Sequence, residues 1–265
     1  MKYFVACLLV CASALPASES RQEQGKRILD EAIAALGGRT FLDMQNRVES
    51  GRAYSFYRDR LTGLAQAVIY TSYLGKQAPG DDSLKIRERQ SFGKDERSAV
   101  LFLPDAAYQL TYRGAVPLPQ ERFDRYRTST RRGIFYIILR RLDEPGMIVE
   151  WRESDIWSNM PVDVVDIIDS NNNTVSVMFD RRSKLPVRQR YIRRDPKTRD
   201  QIEEVTVYAK YRDVGNGVQW PYNVMAERNG EKVFEIFSDQ VQINQELAED
   251  LFKIPKGMKI LEPKD

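Results

Sequence analysis

The sequence predicts an α+β fold in which a long antiparallel sheet curls and helices pack against its concave face. Period-two alternation, bounded by Gly, Asn, Asp and Pro, recurs along most of the chain and is clearest over residues 174–243. An apolar helical stretch interrupts the strands near the middle of the chain. Because a long antiparallel sheet curls, its concave face must be filled, and this stretch suits that place. Many strands with one helix at the start and another in the middle give this fold class.

The first 17 residues have the pattern of a secretory signal peptide. Lys2 gives a positive start, an apolar stretch follows, and Ala12-Ser13-Ala14 or Leu15-Pro16-Ala17 offers a small-residue cleavage site. The stretch is shorter than the roughly 20 apolar residues of a membrane span. We therefore predict a removed signal peptide at 1–17 and a single exported, soluble domain at 18–265.

Cysteine and histidine usage excludes several kinds of chemistry. Cys7 and Cys11 both lie in the predicted signal peptide, and the chain has no histidine. Thiol nucleophiles, Ser-His-Asp triads and His- or Cys-based zinc sites are thus excluded from the mature protein. Val10 stands where a lipoprotein signal would have a small residue, so lipidation of Cys11 is disfavoured. The formal net charge is +3 with acids and bases intermixed, which gives no argument for nucleic acid.

The elements follow in order from local signals. Ser20-Arg-Gln-Glu23 has the spacing of a capping box, and the helix that it begins ends at Gly37-Gly38, with one further turn over 40–44. Asn229-Gly230 is a strong hairpin signal. A short docking helix is predicted over 244–252, with Leu247, Leu251 and Phe252 on the sheet. The predicted strands are 48–58, 64–73, 84–92, 98–103, 108–112, 148–153, 162–168, 174–180, 185–191, 202–213, 218–225 and 233–243.

The central segment, residues 119–142, breaks the strand pattern. It begins at Pro119 and contains an apolar run from Ile134 to Leu139, which is too apolar for a solvated helix. This segment is predicted to fill the concave face. Gly133 interrupts it, which suits a helix that moves aside when a ligand enters. A permanently packed core helix explains the same residues equally well.

For three polar motifs we prefer a structural explanation to a functional one. Residues 169–180 have the oxygen spacing of a calcium loop, but Thr174 replaces the required glycine, so an Asn-rich hairpin turn is favoured. Asp163, Asp166 and Asp169 could form an acid/base pair, but rim charges explain them better. The basic hairpin at 181–194 is typical of a half-solvated strand pair, with an anionic partner such as lipid headgroups as the alternative.

A series of motifs in the second half of the chain resembles the superfamily of periplasmic carriers that sort outer-membrane lipoproteins (LolA/LolB-like). The exported start and the Ala-Leu-Gly-Gly38 helix end fit the same resemblance, which covers about residues 160–256 well. The motifs are Phe179-Asp180 with Leu185-Pro186-Val187-Arg188, Tyr211-Arg-Asp-Val-Gly215 with Trp220-Pro221, Val241-x-Ile243-Asn244-x-x-Leu247, and Leu251-Phe252-x-Ile254-Pro255.

The resemblance implies a half-open β-barrel whose helices cover an apolar concave cavity for the acyl chains of lipids or lipoproteins. It also implies a periplasmic location, with association with the outer membrane and with envelope membrane proteins as further expectations, and no cofactor, metal or catalytic residue. Arg140 and Arg141 are the candidate gating residues. The chain is longer than a typical carrier of this kind. The candidate lipid-binding residues are Ile134, Phe135, Ile138, Leu139, Trp151, Val164, Val177 and Phe179.

Two other classes of function stay open at this point. An envelope scaffold or interaction protein would fill its concave face with its own side chains. A carboxylate-based hydrolase, which is the less favoured class, would have a cleft with two facing acids.

Overall fold

The computed structural model describes residues 19–78, 80–93, 95–96 and 98–262, so the predicted signal peptide with Cys7 and Cys11 lies outside them. Within these residues, no helix combines the length and apolar character that crossing a membrane requires. The helical elements are α1 (Arg21–Leu36), α2 (Gly38–Leu42), α3 (Gln120–Arg131), α4 (Ile134–Tyr136), a π-helical turn (Ile137–Arg141) and a 3₁₀ turn (Glu249–Phe252).

The capping box predicted for the first helix is confirmed. The backbone N–H of Glu23 donates to Ser20 Oγ at 3.2 Å, and the N–H of Ser20 donates to Glu23 Oε2 at 2.8 Å. Both bonds pair N–H groups that the first turn of a helix leaves free. The helix ends at Gly37, where φ is +122°, and a Cβ there would lie 2.9 Å from the Cα of Val218. Glycine is needed at this position for its backbone angle and for the close approach to the sheet.

The strands of the described chain form one antiparallel sheet in the order β6-β5-β4-β3-β2-β1-β13-β12-β11-β10-β9-β8-β7. Every strand predicted from the sequence is present. The bounds are β1 (Asn46–Tyr57), β2 (Arg60–Tyr73), β3 (Ile86–Phe92), β4 (Ser98–Phe102), β5 (Ala107–Thr111), β6 (Gly114–Pro117), β7 (Ile148–Trp157), β8 (Met160–Ile168), β9 (Thr174–Asp180), β10 (Pro186–Arg194), β11 (Gln201–Asp213), β12 (Gln219–Arg228) and β13 (Glu231–Ile243).

The sheet consists of two meanders, β1–β6 and β7–β13, joined where β1 pairs with β13. That pairing runs from Arg47 opposite Ile243 to Ser55 opposite Phe234. The two edge strands are β6 and β7, and the chain between them contains α3, α4 and the π-helical turn. We call residues 120–141 the central insert. Its position in the sequence therefore carries it from one edge of the sheet to the other.

The sheet is strongly curved, as predicted. The backbone N–H of Ile134 donates to the side chain of Gln189 on β10 at 2.8 Å, and the Tyr136 hydroxyl accepts from Lys85 N, beside β3, also at 2.8 Å. On a flat sheet β3 and β10 would lie six strand spacings, or about 29 Å, apart. Since Ile134 and Tyr136 are two residues apart, the sheet must curl around the central insert.

One strand was missed by the sequence analysis. Strand β6 has four residues and contains both Gly114 and Pro117, which mask the alternation. The C-terminal segment covers its outer edge, because Ala115 N donates to Lys259 O at 2.9 Å and Leu261 N donates to Ala115 O at 2.8 Å. An exposed row of backbone groups at this end of the sheet is thereby paired.

The predicted C-terminal helix is wrong in extent, although its docking is confirmed. Helical structure is limited to the 3₁₀ turn Glu249–Phe252. Asn244 has a left-handed backbone (φ +52°), and its Oδ1 accepts from Gln45 N at 2.8 Å, which ties the end of β13 to the start of β1. This bond competes with a helix start at Asn244. Phe252 is buried against β4 and β5, with Leu247 and Leu251 packed beside it.

The main core lies on the concave face, between the sheet and the helices. Val165 pairs with Val177 across β8 and β9, and both are fully buried in the same cluster as Ile137 and Phe41. Directly opposed residues of antiparallel strands share a face, so the face of Val165 and Val177 is the concave one. The helices α1, α2 and α4 all contribute buried residues to this cluster.

Candidate functional site

A cavity of about 260 Å³ lies on the concave face, between α4 and the central strands of the sheet. It is formed where the central insert passes over β3, β2, β1, β13, β12 and β11. Its apolar walls are Ile69, Tyr73, Ile86, Phe135, Tyr136, Tyr208, Trp220, Pro221, Val224, Phe234 and Ile236, and its polar residues are Arg47, Glu49, Thr71, Glu88 and Thr130, with Gly133 at its margin.

Phe135 forms the insert's side of this cavity. Its ring contacts Trp220 at a centroid distance of 4.7 Å and Tyr208 at 5.0 Å, and Phe41 lies behind it at 6.3 Å. The contacts with Tyr208 and Phe41 are edge-to-face, the arrangement that aromatic quadrupoles favour. Phe135 is nevertheless only half-buried, unlike Ile134 and Tyr136 on either side of it. Its exposed part faces the cavity.

A line of hydrogen-bonded polar side chains forms one wall, which we call the polar floor (Arg47, Glu49, Thr71 and Glu88). Arg47 donates to Glu49 Oε2 at 2.5 Å and to Thr71 Oγ1 at 3.2 Å, and Thr71 donates to Glu88 Oε2 at 3.1 Å. The Ser238 hydroxyl donates to the other oxygen of Glu49. With one cation and two carboxylates, the polar floor has a formal charge of −1.

The register of the strands brings these polar residues together on the concave face. Arg47 opposes Thr71, and Thr71 opposes Glu88, so the three lie side by side on β1, β2 and β3. The guanidinium of Arg47 also stacks over the ring of Trp220, with its Cζ 4.3 Å from the ring centroid. Burial alone would lower the pKa of Arg47, but Glu49, Tyr73, Glu88 and Tyr126 together outweigh it, and the pKa is raised overall. Arg47 is therefore a permanent cation at this wall.

The structure separates the candidate lipid-binding residues into different environments. Phe135 lines the cavity. Ile134, Ile138, Leu139, Val177 and Phe179 are all buried in the main core, where they contact protein on every side. Trp151 is partly buried at the rim of that core, next to α1, since a Cβ at Gly25 would lie 2.6 Å from the Trp151 N atom.

Val164 does not face the concave cavity, because it lies on the opposite face of β8 from Val165. Its cross-strand partner is Met178, whereas Val165 pairs with the core residue Val177. Val164 is fully buried, but it is not part of the main core cluster. The bulge in β7 between Trp151 and Glu153 lets the pairing shift at this point.

Arg141 is a fixed structural residue in this structure. Its Nε and Nη2 donate to the two carboxylate oxygens of Glu144, both at 2.7 Å, and its Nη1 donates to Arg131 O at 2.7 Å. Asp169 lies 3.4 Å from Nη2. A buried, bidentate guanidinium of this kind is held in one position.

Arg140 has a different environment. It donates to the backbone oxygens of Leu139 (2.6 Å) and Met44 (3.1 Å), and its Cζ lies 4.9 Å from the ring centroid of Tyr73. Among the described residues it forms no ion pair, and burial lowers its pKa. These contacts attach the end of the central insert to the segment that leads into β1. They can be broken without leaving a carboxylate unpaired.

The Asp169 loop is a hairpin turn between β8 and β9, as the sequence favoured. Asp169 Oδ1 accepts from the backbone N–H groups of Asn171 (3.0 Å) and Asn173 (2.9 Å). Over the residues that the structure describes, no group of three acidic, His or Cys side chains is arranged to hold a metal ion. Asp163 and Asp166 pair with different arginines, Arg181 and Arg152, and do not face each other.

Sequence reasoning missed the polar floor. Arg47 and Glu49 stand at alternate positions of β1, a pattern that is typical of a solvent-facing strand edge. Their position on the concave face follows from contacts with β2 and β13, and some of these partners lie about 190 residues away in the sequence. Local alternation contains no such information.

Solved structures with the same fold support the resemblance seen in the sequence. A domain from Vibrio parahaemolyticus named for outer-membrane lipoprotein sorting has a TM-score of 0.56 at 12% identity, over 88% of this chain and 97% of that one. A DUF1329 family protein from Desulfovibrio piger has a TM-score of 0.56 at 10% identity, over 86% and 97%. A LolA superfamily protein from Nitrosomonas europaea has a TM-score of 0.51 at 10% identity, over 86% and 97%.

At these identities the likeness concerns the fold. The open, curved antiparallel sheet with helices on its concave face is the fold of the lipoprotein-sorting carriers, so the fold that the resemblance implied is confirmed. No protein-family model matches the sequence, and no curated protein matches it.

Proposed function

We propose that this protein is an exported periplasmic carrier that binds acyl chains of lipids or lipoproteins on its concave face. The observation that carries the proposal is the cavity beside Phe135, whose walls are aromatic and aliphatic side chains from five strands of the sheet. Two of the similar structures are themselves named for outer-membrane lipoprotein sorting or for the LolA superfamily. Mainly apolar concave sites with a few polar groups are typical ligand sites.

The size of the cavity argues for a closed, unloaded state. Its 260 Å³ is below the range of about 300–1,000 Å³ in which most small-molecule sites fall. It would admit part of one acyl chain. Since each buried methylene contributes about 0.8 kcal/mol, complete enclosure of several long chains would also make release too slow for a carrier. Partial enclosure with local opening suits transfer better.

Opening is proposed to begin at Phe135. The insert is held on both sides of this residue, by the bond from Ile134 N to Gln189 and by the hydroxyl of Tyr136. The Phe135 side chain is the half-buried group between these two attachments. Its rotation away from Trp220 would enlarge the cavity without unfolding α4. The π-helical turn that follows is a rare conformation that often marks functional sites.

A second function, an envelope scaffold, is favoured by one observation. Ile134, Ile138 and Leu139 are all less than 5% exposed, so most of the central insert already fills the concave face. In a scaffold the small cavity would be a packing defect, and the protein would act through its outer surface on envelope membrane proteins. The two functions differ in whether the cavity takes an apolar ligand.

The test is to measure binding of a fluorescent acyl probe to the mature protein and to a variant with a filled cavity. Val224 lines the cavity, and Val224→Phe should fill part of it. We expect the wild type to bind the probe and Val224→Phe to bind it at least about tenfold more weakly. A tenfold loss of affinity corresponds to about 1.4 kcal/mol, which is less than the burial of two methylene groups of the probe contributes. Native mass spectrometry of protein purified from its own periplasm would identify the natural lipid.

The matched control is Val207→Phe. Val207 is half-buried like Val224 but lies on the other face of the sheet, since its neighbour Tyr208 is the residue that opposes Val224. This variant should bind the probe like the wild type. Equal loss of binding in both variants, or no binding by the wild type, would reject the carrier function in favour of the scaffold.

A further inference from the structure

A second cavity, separate from the concave one, is a groove on the outer side of the central insert. It has a volume of about 760 Å³ and lies between α3 and the hairpin that joins β10 to β11. We call it the outer groove. Its residues include Asp124, Arg125 and Thr128 on α3 and Arg132 directly after it, which recur with helical spacing and form one stripe. The hairpin of β10 and β11 forms the opposite wall.

The cations of the outer groove outnumber its anions. Five basic side chains line it, against three acidic ones, which gives a formal charge of +2. The acids are Glu121, Asp124 and Asp195. The basic residues are Arg125, Arg132, Arg193, Arg194 and Lys197.

The three acids are already engaged by neighbouring donors. Glu121 pairs with Lys197 at 3.1 Å, and Asp124 accepts from Gln120 Nε2 at 2.9 Å. Asp195 accepts from the backbone N–H groups of Lys197 and Thr198 within its own turn, which lower its pKa. Asp124 also lies 3.9 Å from Arg127, and Asp195 interacts with Arg193 and Lys197, so the three acids are directed at cations other than Arg125, Arg132 and Arg194.

Three arginines of the groove lack a carboxylate partner among the described residues. The side chains of Arg125 and Arg194 form no hydrogen bond or ion pair with another described residue. Arg132 donates to the neutral oxygens Asn173 Oδ1 (2.7 Å) and Ile192 O (3.3 Å), and it stacks on Tyr191. Burial lowers the pKa of Arg132, but a guanidinium stays charged at any physiological pH. An uncompensated buried charge is costly, and a bound anion would reduce that cost.

We propose that the outer groove binds a phosphate group, with Arg125, Arg132 and Arg194 as its ligands. A phosphate monoester carries about −1.5 to −2 charges at neutral pH, which matches the formal charge of the groove. Guanidinium groups bind phosphate oxygens through two parallel hydrogen bonds, which makes arginine better suited to this ligand than lysine. The phosphate can belong to a lipid headgroup or to a small soluble molecule, because both present the same chemistry.

The experiment uses the mature protein, a groove variant and a matched control. The groove variant is Arg194→Gln, which changes the net charge by one, as the control does; its side chain is exposed and has no structural contact, so folding should be preserved. The control is Arg52→Gln, an exposed arginine of β1 outside the groove. Calorimetric titration with inorganic phosphate and pyrophosphate gives one arm. Flotation with phosphatidylcholine vesicles, with and without phosphatidic acid, whose headgroup is a phosphate monoester, gives the other.

We expect wild type and Arg52→Gln to bind at least one of these phosphates, and the groove variant to bind it about tenfold or more weakly, as loss of charged hydrogen bonds predicts. Binding to the anionic vesicles but not to free phosphates assigns the site to a lipid headgroup, and the reverse assigns it to a soluble phosphate. Acyl-probe binding in the concave cavity should be unchanged in the groove variant.

The proposal is overturned if wild type binds neither phosphates nor anionic vesicles. It is also overturned if Arg52→Gln weakens binding as much as the groove variant does, because the effect would then reflect net charge alone. Stronger binding of an acidic peptide such as polyglutamate than of pyrophosphate would likewise reject a phosphate site. None of these outcomes depends on whether the concave cavity binds lipid.

Discussion

The side chain of Gln189 accepts a hydrogen bond from the backbone N–H of Ile134 at 2.8 Å, which fixes the start of α4 to strand β10. The same oxygen accepts from the Tyr208 hydroxyl at 2.8 Å, and Gln189 Nε2 donates to Arg132 O at 3.3 Å. One buried amide thus pairs both sides of the break between α3 and α4. Buried polar groups are costly unless paired, so this contact holds the insert in one position. Phe135, the next residue, projects from a fixed point.

This arrangement predicts opposite behaviour for two neighbouring residues of the insert. Ile138 is 4% exposed in the main core, so Ile138→Ala should destabilise the protein by about 2–5 kcal/mol. Phe135→Ala should cost less than a buried phenylalanine does, because its ring already borders a cavity, while the affinity for an acyl probe changes clearly. Urea unfolding and probe titration on the same samples measure both effects. A large loss of stability for Phe135→Ala with unchanged probe binding would make Phe135 a core residue.

Arg141 is predicted to matter for stability. Its partners Glu144 and Asp169 are nearly buried, so Arg141→Met would leave Asp169 without its cation and Glu144 with the more distant Arg131, at 3.8 Å. Breaking a buried ion pair from one side typically costs about 3–5 kcal/mol. Chemical denaturation should register this loss. A variant as stable as the wild type would mean that these carboxylates are reached by solvent.

Arg140 is predicted to matter for ligand entry instead. Arg140→Met removes donors to the backbone oxygens of Leu139 and Met44 without orphaning a carboxylate. We expect a modest loss of about 1–2 kcal/mol in stability. Stopped-flow mixing with an acyl probe should give faster uptake, because the insert is less firmly attached next to β1. Unchanged uptake kinetics would remove Arg140 as a gating residue, and Arg141→Met provides the comparison.

Much of the fold could be predicted from the sequence because short stretches of residues determine where its strands and its first helix lie. Alternation and turn residues located the long strands, and the capping box located α1. The concave site could not be predicted in the same way. Val164 and Val165 are apolar neighbours on β8, so local alternation does not show which one faces inward, and the pairing with β9 decides it. The polar floor depends on pairings between distant strands.

The Asp169 turn predicts a pH dependence of stability. Burial alone would raise the pKa of Asp169, but hydrogen bonds from Asn173, Asn171 and Arg141 outweigh it and lower the pKa overall. A carboxyl with a depressed folded pKa contributes stability that is complete above its unfolded pKa, about 3.9. That contribution is lost as the pH falls through the folded pKa.

Asp169→Asn should therefore be less stable than the wild type at pH 6, with a difference that narrows as the pH falls below about 4. Unfolding free energies measured by denaturant titration across this range give the comparison. A difference that stays constant down to pH 2 would mean that ionisation of Asp169 does not contribute.

If the signal peptide is removed as predicted, the melting temperature of the mature protein should not depend on reductant. Cys7 and Cys11 are the chain's cysteines and both precede residue 18, so the mature protein should have no disulfide. Its melting temperature should be the same with and without dithiothreitol. A shift in protein of verified N-terminus would contradict the predicted cleavage site.

The charge of the polar floor predicts which acyl compounds the concave cavity prefers. Glu49 and Glu88 give this wall a formal charge of −1, because Arg47 is already paired with Glu49. A free fatty acid would bring a further carboxylate to these residues, whereas an ester would bring a neutral acceptor. Two like charges near a protein surface repel by roughly 4 kcal/mol at 4 Å. At neutral pH a fatty-acid methyl ester should thus bind about tenfold or more tightly than the acid of equal chain length.

Competition against a fluorescent acyl probe measures this preference. Glu88→Gln should narrow the gap between ester and acid, while Glu246→Gln, an exposed acid outside the cavity, should leave it unchanged. Higher salt should narrow the gap little, because partly buried charges are weakly screened. If the acid binds as tightly as the ester at neutral pH and Glu88→Gln has no effect, the polar floor does not contact the ligand, and the chain end must bind elsewhere on the concave face.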